Sequence, residues 1–182
     1  TNLNRMISYK FNIFCPPIIV GISGLKVFIR KLLLPRVPQQ ELHKILRWEV
    51  ENSLPYSLNE FYYDYQVSQV KHKFEVLFTA ITQSEAWPYI RLFNNLDLPI
   101  QTLTVQPLGL LNYVTFFKVV SKDYTGILVR WGNSSIDFIF IMDGNAQLFR
   151  TISLTHNENQ ENNIYQFNRE LSSTLIYIQS QY

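Results

Sequence analysis

The sequence predicts an α+β fold of short antiparallel strand units separated by amphipathic helices, and three features carry that expectation. Leu42, Ile45, Leu46 and Val50 recur at helical spacing. Phe61, Tyr63, Tyr65 and Val67 alternate with Tyr62, Asp64, Gln66 and Ser68 at the two-residue period of a strand. Asp143-Gly144 lies between two apolar runs, and both residues accept the positive φ of a tight hairpin. The 182 residues are 47% apolar and 16% charged. That balance excludes a disordered chain and allows one domain or two small subdomains sharing a boundary.

From the N-terminal side, residues 11–29 are largely apolar and follow Arg5 and Lys10, a loose imitation of a secretory signal. Pro16-Pro17, Gly21, Gly24 and Lys26 interrupt the run too often for a membrane-spanning helix. A buried strand over 18–22, joined by a Ser-Gly turn to a second strand over 26–34, accounts for it as a pair of strands. Pro35 and Pro38 then bracket a turn, and a helix over 39–53 follows, with Glu41, Lys44, Arg47 and Glu51 mostly off its apolar face. Arg47 and Glu51 are four apart and form a weak pair on the solvent side. Pro55 stops the helix, because it lacks the backbone donor and disfavours helical geometry at Leu54.

The alternating strand over 61–70 turns at Lys71-His72-Lys73 and returns over 74–82 as its antiparallel partner. Ser84 is the expected N-cap of a helix to about residue 95, with Ala86, Tyr89, Ile90 and Phe93 facing inward. Leu98-Pro99 ends that unit, and a strand over 100–105 comes next. Pro107 opens a short helix to about residue 117. Residues 126–131, 136–142 and 146–154 form a meander. After a polar stretch over 156–163, a last helix carries Ile164, Phe167, Leu171, Leu175 and Ile178 at three- and four-residue spacing.

The composition narrows the chemistry. Net charge is +2 and Lys and Arg form no block, so no nucleic-acid interface is expected. Cys15 is the single cysteine, which excludes an intrachain disulfide and suits a reducing compartment. Set between Phe14 and two prolines, it has no recognisable His partner and is expected to be structural. His43, His72 and His156 are scattered without metal-ligand spacing, so no metal is expected. Glu49 and Glu51 project to different sides of their helix, which does not suit a general acid and base. The cluster from Tyr62 to Tyr65 lacks neighbouring basic residues and fits strand packing better than base stacking. Trp48 lies off the apolar face, where it either covers a sheet edge or offers a contact to a partner. Nothing in these patterns supports catalysis, and the expectation is that the chain is not an enzyme.

Several longer motifs occur in order. Leu34-Pro35-Arg36-Val37-Pro38 and Glu41-Leu42 lead to Arg47-Trp48-Glu49-Val50-Glu51 and Leu54-Pro55-Tyr56. Asp64-Tyr65-Gln66-Val67, the stretch 96–111, the run 129–138 with Asp143-Gly144, and Arg169-Glu170-Leu171, Leu175 and Gln179-Ser180-Gln181 follow. Collinear over roughly residues 18–182, these resemble the PilM-type type IV pilus assembly family.

The resemblance implies a partial actin-like, ribonuclease-H-like body carrying an inserted FtsA-type α+β subdomain. Residues 1–34 would be a remnant of the first actin-like subdomain and 35–99 the insertion. Residues 100–182 would be the return strand, helix, β-meander and C-terminal helix of the body. The family's first phosphate loop and its adenosine-binding part find no match. Its second phosphate loop aligns with Arg130-Trp131-Gly132-Asn133-Ser134-Ser135-Ile136-Asp137. Gly132, Ser134, Ser135 and Asp137 remain there, but Arg130 replaces an acidic residue and reverses the charge where a metal would sit. A degenerate loop that folds as a plain hairpin turn is therefore expected, with no cofactor.

What the resemblance implies about partners is a non-catalytic scaffold holding the N-terminal tail of a single-pass inner-membrane PilN-type protein. The expected groove runs between residues 29–36 and 103–107. Leu34, Leu103 and Val105 would offer apolar pockets beside an edge that accepts an added strand. Arg30 and Arg36 would steer an acidic or neutral tail from the rim. The expected setting is cytoplasmic, peripheral at the inner membrane without insertion, with a plastid stroma as the alternative. The alternative functions are a vestigial nucleotide-dependent switch, or a fragment in a reduced organellar genome with no retained activity.

Overall fold

The computed structural model describes residues 17–22, 26–55, 57–154 and 160–181. Strands β1 (Ile18–Ile22) and β2 (Val27–Pro35) form where the apolar runs place them, but they do not pair with each other. β2 runs antiparallel to β4 (Lys73–Thr82), which also takes β3 (Phe61–Val70), in the order β2-β4-β3. β1 lies parallel to β5 (Ile100–Val105), with Ile22 beside Val105. The expected strand pair is thus corrected: β4 matches β2 along its whole length, and β1 finds its ladder in a distant strand. The Ser-Gly turn proposed between them lies outside the described residues. The division expected at residue 34 falls at the end of β2, a strand hydrogen-bonded throughout to β4 beyond that division.

One face of the three-stranded sheet is covered by helix α1 (Gln39–Ser53). Leu42, Leu46 and Val50 are buried against Leu34, Val76, Phe78 and Ala80, with Ile45 half-buried beside them. The helical period therefore named the correct face. Arg47 and Glu51 meet at 2.9 Å in solvent, a geometry that contributes little to stability. Tyr63 and Tyr65 extend the same layer, Tyr63 lying over Phe78 at 5.7 Å between ring centroids.

The other face of the sheet has a second core. Val27, Ile29 and Ile81 pack with Val20, Ile22 and Val105, and with Ala86, Ile90 and Phe93 of helix α2 (Gln83–Asn94). β4 passes into α2 without a loop, so Thr82, still paired with Phe61, is the N-cap. Ser84 sits instead in the first turn, its hydroxyl 3.2 Å from that of Thr82. Tyr89, expected inward, is exposed, because the stripe of Ala86, Ile90 and Phe93 leaves it on the flank.

Helix α3 (Gln106–Phe116), with Pro107 in its first turn, precedes the meander β6 (Gly126–Trp131), β7 (Ser135–Met142) and β8 (Asn145–Ser153). Asp143 and Gly144 take φ of 49° and 70° at the β7–β8 turn, as their residue types require. A Cβ on Gly144 would lie 2.3 Å from the Lys122 carbonyl oxygen, so glycine is needed there twice over. β7 is buried almost throughout, between α3 and helix α4 (Gln160–Gln181), with Phe138 stacked on Phe167 at 5.7 Å.

Phe167, Leu171 and Ile178 of α4 face inward as expected, whereas Ile164 and Leu175 are exposed. Thr174 takes the inward position next to Leu175. Its hydroxyl accepts from Arg150 Nη1 at 2.8 Å and donates to the Glu170 carbonyl at 2.7 Å, which allows a polar side chain to be buried. Between the sheets, Lys31 Nζ donates to Ala146 O and Gln147 Oε1 and pairs with Glu75 at 2.7 Å. One ammonium thereby ties β2 and β4 to β8.

Candidate functional site

On the face of β3 turned away from α1 stand Tyr62, Asp64 and Gln66, the polar half of the alternation. Leu77, Thr79 and Ile81 of β4 continue this face. Opposite them runs the stretch Thr102 to Val105 of β5, with Leu108 of α3. These residues enclose a cleft of about 360 Å³. Its base is aliphatic, its walls carry hydroxyl and amide groups, and Asp64 is the charged side chain among its lining residues. The Asp64 carboxylate accepts from its neighbour's N–H, Tyr65 N, at 2.8 Å.

Two strands that end their sheets border the cleft. β3 has β4 as its hydrogen-bonded neighbour, and β5 has β1, with no second neighbour for either among the described residues. Unpaired strand edges are templates for an added strand. A wall of five residues, such as the one from Tyr62 to Gln66, is about 16 Å long at the usual strand rise, room for roughly five extended residues.

Of the residues singled out in the sequence, the structure brings Leu103 and Val105 to this cleft, Leu103 half-buried on the wall and Val105 fully buried at the base. Leu34, Arg30 and Arg36 are not there. Leu34 is buried in the core under α1, and so is no pocket on the surface. Arg30 pairs in register with Phe78, and Arg36 follows the end of β2. The reason is topological: β4 lies between β2 and β3, and β3 forms the wall that β2 was expected to form. Charge changes with it, because the expected arginine rim gives way to Asp64. Tyr62, Asp64, Gln66, Leu77 and Thr79 were missed, although the polar alternate face of β3 was itself a signal of a wetted surface.

The run aligned with a phosphate loop is a closed hairpin turn. Arg130 and Asp137 are register partners on β6 and β7, and the Arg130 guanidinium bonds the almost fully buried Asp137 carboxylate. Arg130 Nη2 also donates to Ser135 Oγ at 2.9 Å, and Thr151 Oγ1 donates to Asp137 Oδ1 at 2.7 Å. Gly132 N donates to Ser135 O at 2.9 Å, and Ser134 O accepts from Leu154 N at 2.9 Å. A Cβ on Gly132 would sit 2.5 Å from Arg130 Nη1, so the glycine leaves room for the guanidinium. Gly132, Ser134, Ser135 and Asp137 are therefore all engaged by the chain itself.

Among the described residues, no three His, Cys, Asp or Glu side chains gather as metal ligands. His43 hydrogen-bonds the Tyr65 hydroxyl, and Trp48 is exposed on α1. Cys15 and His156 lie outside the described residues. No helix among the described residues is long and apolar enough to cross a membrane.

No family model and no curated protein matches the sequence. Among solved structures, the chain is similar to one described as the PilM-PilN type IV pilus biogenesis complex. The TM-score is 0.77 at 16% identity, over 99% of this chain and 64% of that one. It is also similar, with a TM-score of 0.54 at 8% identity, to the cytoplasmic domain of EpsL, an inner membrane component of the type II secretion system of Vibrio cholerae. That match covers 83% of this chain and 55% of the other. The chain thus spans less than two thirds of either relative's length. At these identities the likeness establishes a mixed α+β, PilM-like fold.

Proposed function

We propose that the chain is a non-catalytic assembly scaffold that holds an extended segment of a PilN-type membrane protein in the cleft between β3 and β5. The observation that carries this reading is the cleft itself: two sheet-ending strands border an aliphatic base, along a wall with room for roughly five extended residues. The likeness to the PilM-PilN complex supports a protein partner of that type. An actin-like body with an FtsA-type insertion, and placement at the cytoplasmic side of an inner membrane, belong to the same reading. With Asp64 in the lining, the complementary segment carries a basic residue rather than the acidic tail that an arginine rim would steer.

The test uses the N-terminal tail of the source organism's PilN-type protein as a synthetic peptide, titrated by calorimetry. Leu103→Asp is expected to weaken binding at least about tenfold, since it places a charge where the wall offers an aliphatic side chain. Asp64→Lys weakens it as well, and Arg36→Glu leaves it unchanged. Equal affinity for wild type and Leu103→Asp places binding elsewhere. No binding by the wild type removes the scaffold reading.

A further inference from the structure

The contact between Asp64 and Tyr65 in the cleft wall bears on the edge of β3 itself. Val70 and Lys73 are register partners across the two-residue turn Lys71-His72, so they exchange both backbone hydrogen bonds. Counting back by twos, Gln66, Asp64 and Tyr62 also bond β4, while Val67, Tyr65 and Tyr63 turn their N–H and C=O groups away from it. The other side of β4 agrees. Thr82 N donates toward β2, to Lys26 O at 3.2 Å, which leaves the alternate residues Ile81, Thr79 and Leu77 to bond β3. Tyr65 N–H is therefore an edge donor in the middle of the wall, and the Asp64 carboxylate occupies it at 2.8 Å. Asp64 is exposed and forms no ion pair among the described residues. Lys31, in the next register row on the same face, commits its ammonium to Glu75, Ala146 O and Gln147 Oε1.

A charged side chain at a sheet edge discourages strand addition. A neutral segment laid along β3 has to take Tyr65 N–H from a carboxylate and leave that charge beside its own carbonyls. A segment with Lys or Arg opposite Asp64 avoids that cost. Residues opposite each other in a ladder share a face, so its cation meets the carboxylate as its backbone meets the freed donor. We propose that Asp64 is a lock on the β3 edge, holding Tyr65 N–H and yielding it to an added strand whose cation takes over the carboxylate. The inference rests on the strand-binding reading of the cleft and gives that site its selectivity.

The test titrates the PilN-type tail peptide, and a version with Gln in place of every Lys and Arg, into wild type, Asp64→Ala and Asp64→Asn by calorimetry. Wild type is expected to favour the basic peptide at least about tenfold, the worth of one charge-assisted hydrogen bond. Asp64→Ala is expected to bind the neutral peptide at least about threefold more tightly than wild type does, because the edge donor is open. Asp64→Asn, which keeps an acceptor for that N–H without the charge, gains less. In the free protein, exchange of the Tyr65 amide, corrected for the intrinsic rate of each sequence, quickens at least about threefold in Asp64→Ala. Far-ultraviolet circular dichroism matching the wild type shows that both variants are folded, as a solvent-facing position predicts. Plain charge attraction gives another pattern: Asp64→Ala binds the basic peptide less tightly and the neutral one no better. That result overturns the lock and leaves the cleft reading standing, and so does an equal gain for both peptides or an unchanged Tyr65 amide. If neither peptide binds any of the three proteins, the cleft reading fails and the lock fails with it.

Discussion

Arg130 reaches from β6 to a carboxylate on β7 that solvent scarcely touches, and the arrangement holds because Asp137 has both Arg130 and Thr151 as donors. Removing one partner of such a pair strands the other. Arg130→Met is expected to destabilise the fold by about 3–5 kcal/mol in urea titration, the range for breaking a buried ion pair. Adding Asp137→Asn recovers part of that loss, since a neutral amide needs no counter-charge. On the proposed actin-like reading, the same guanidinium takes the place where magnesium would need negative ligands. Calorimetry with ATP and Mg²⁺ is therefore expected to give no saturable heat, and a saturable, Mg²⁺-dependent signal would revive the nucleotide switch. The arginine at position 130 stood out in the sequence, but the carboxylate that it serves did not. That partner follows from the hairpin register, which sets Arg130 opposite Asp137.

Among the elements, α1 was the most legible, because helical period, flanking prolines and length agree. Leu46, at 4% exposure, touches the sheet core. Leu46→Ala is expected to cost about 2–5 kcal/mol, whereas Trp48→Ala on the solvent side should stay within about 0.5 kcal/mol. Equal effects at the two sites would mean that the helix packs on another face. The meander was equally plain, since Asp143-Gly144 specifies its own turn. The partner of β1 was not legible. Nothing local distinguishes a strand that pairs with its neighbour from one that waits for β5, as both are short apolar runs. In α4, periodicity placed Phe167, Leu171 and Ile178 correctly but chose Leu175 over its neighbour Thr174, because it counted apolar side chains and Thr174 is buried through its hydrogen bonds. Leu103 and Val105 were named for the cleft, but its β3 wall was not, for a related reason: that wall is the polar half of the strand's alternation, which offers no apolar signal.

At the scale of the molecule, the three sheets share their burden unequally. In the β2-β4-β3 sheet the β3–β4 hairpin joins near neighbours in sequence, β2 adds to it across α1 and β3, and together they close over a core of their own under α1. The meander and α4 do the same. The parallel pair is different, because Ile18 meets Ile100 only after the intervening unit has brought the two ends together. Contacts of long sequence separation form late unless the chain between them has already condensed. Pulse-labelled hydrogen exchange during refolding is therefore expected to protect the amides of β4 and β7 before those of β1 and β5, and simultaneous protection would show a single concerted step. In time, then, the wall that β5 contributes is the last to be raised. A chain still emerging from synthesis has no cleft to offer, and the surface proposed to bind a partner would become available only when folding is finished.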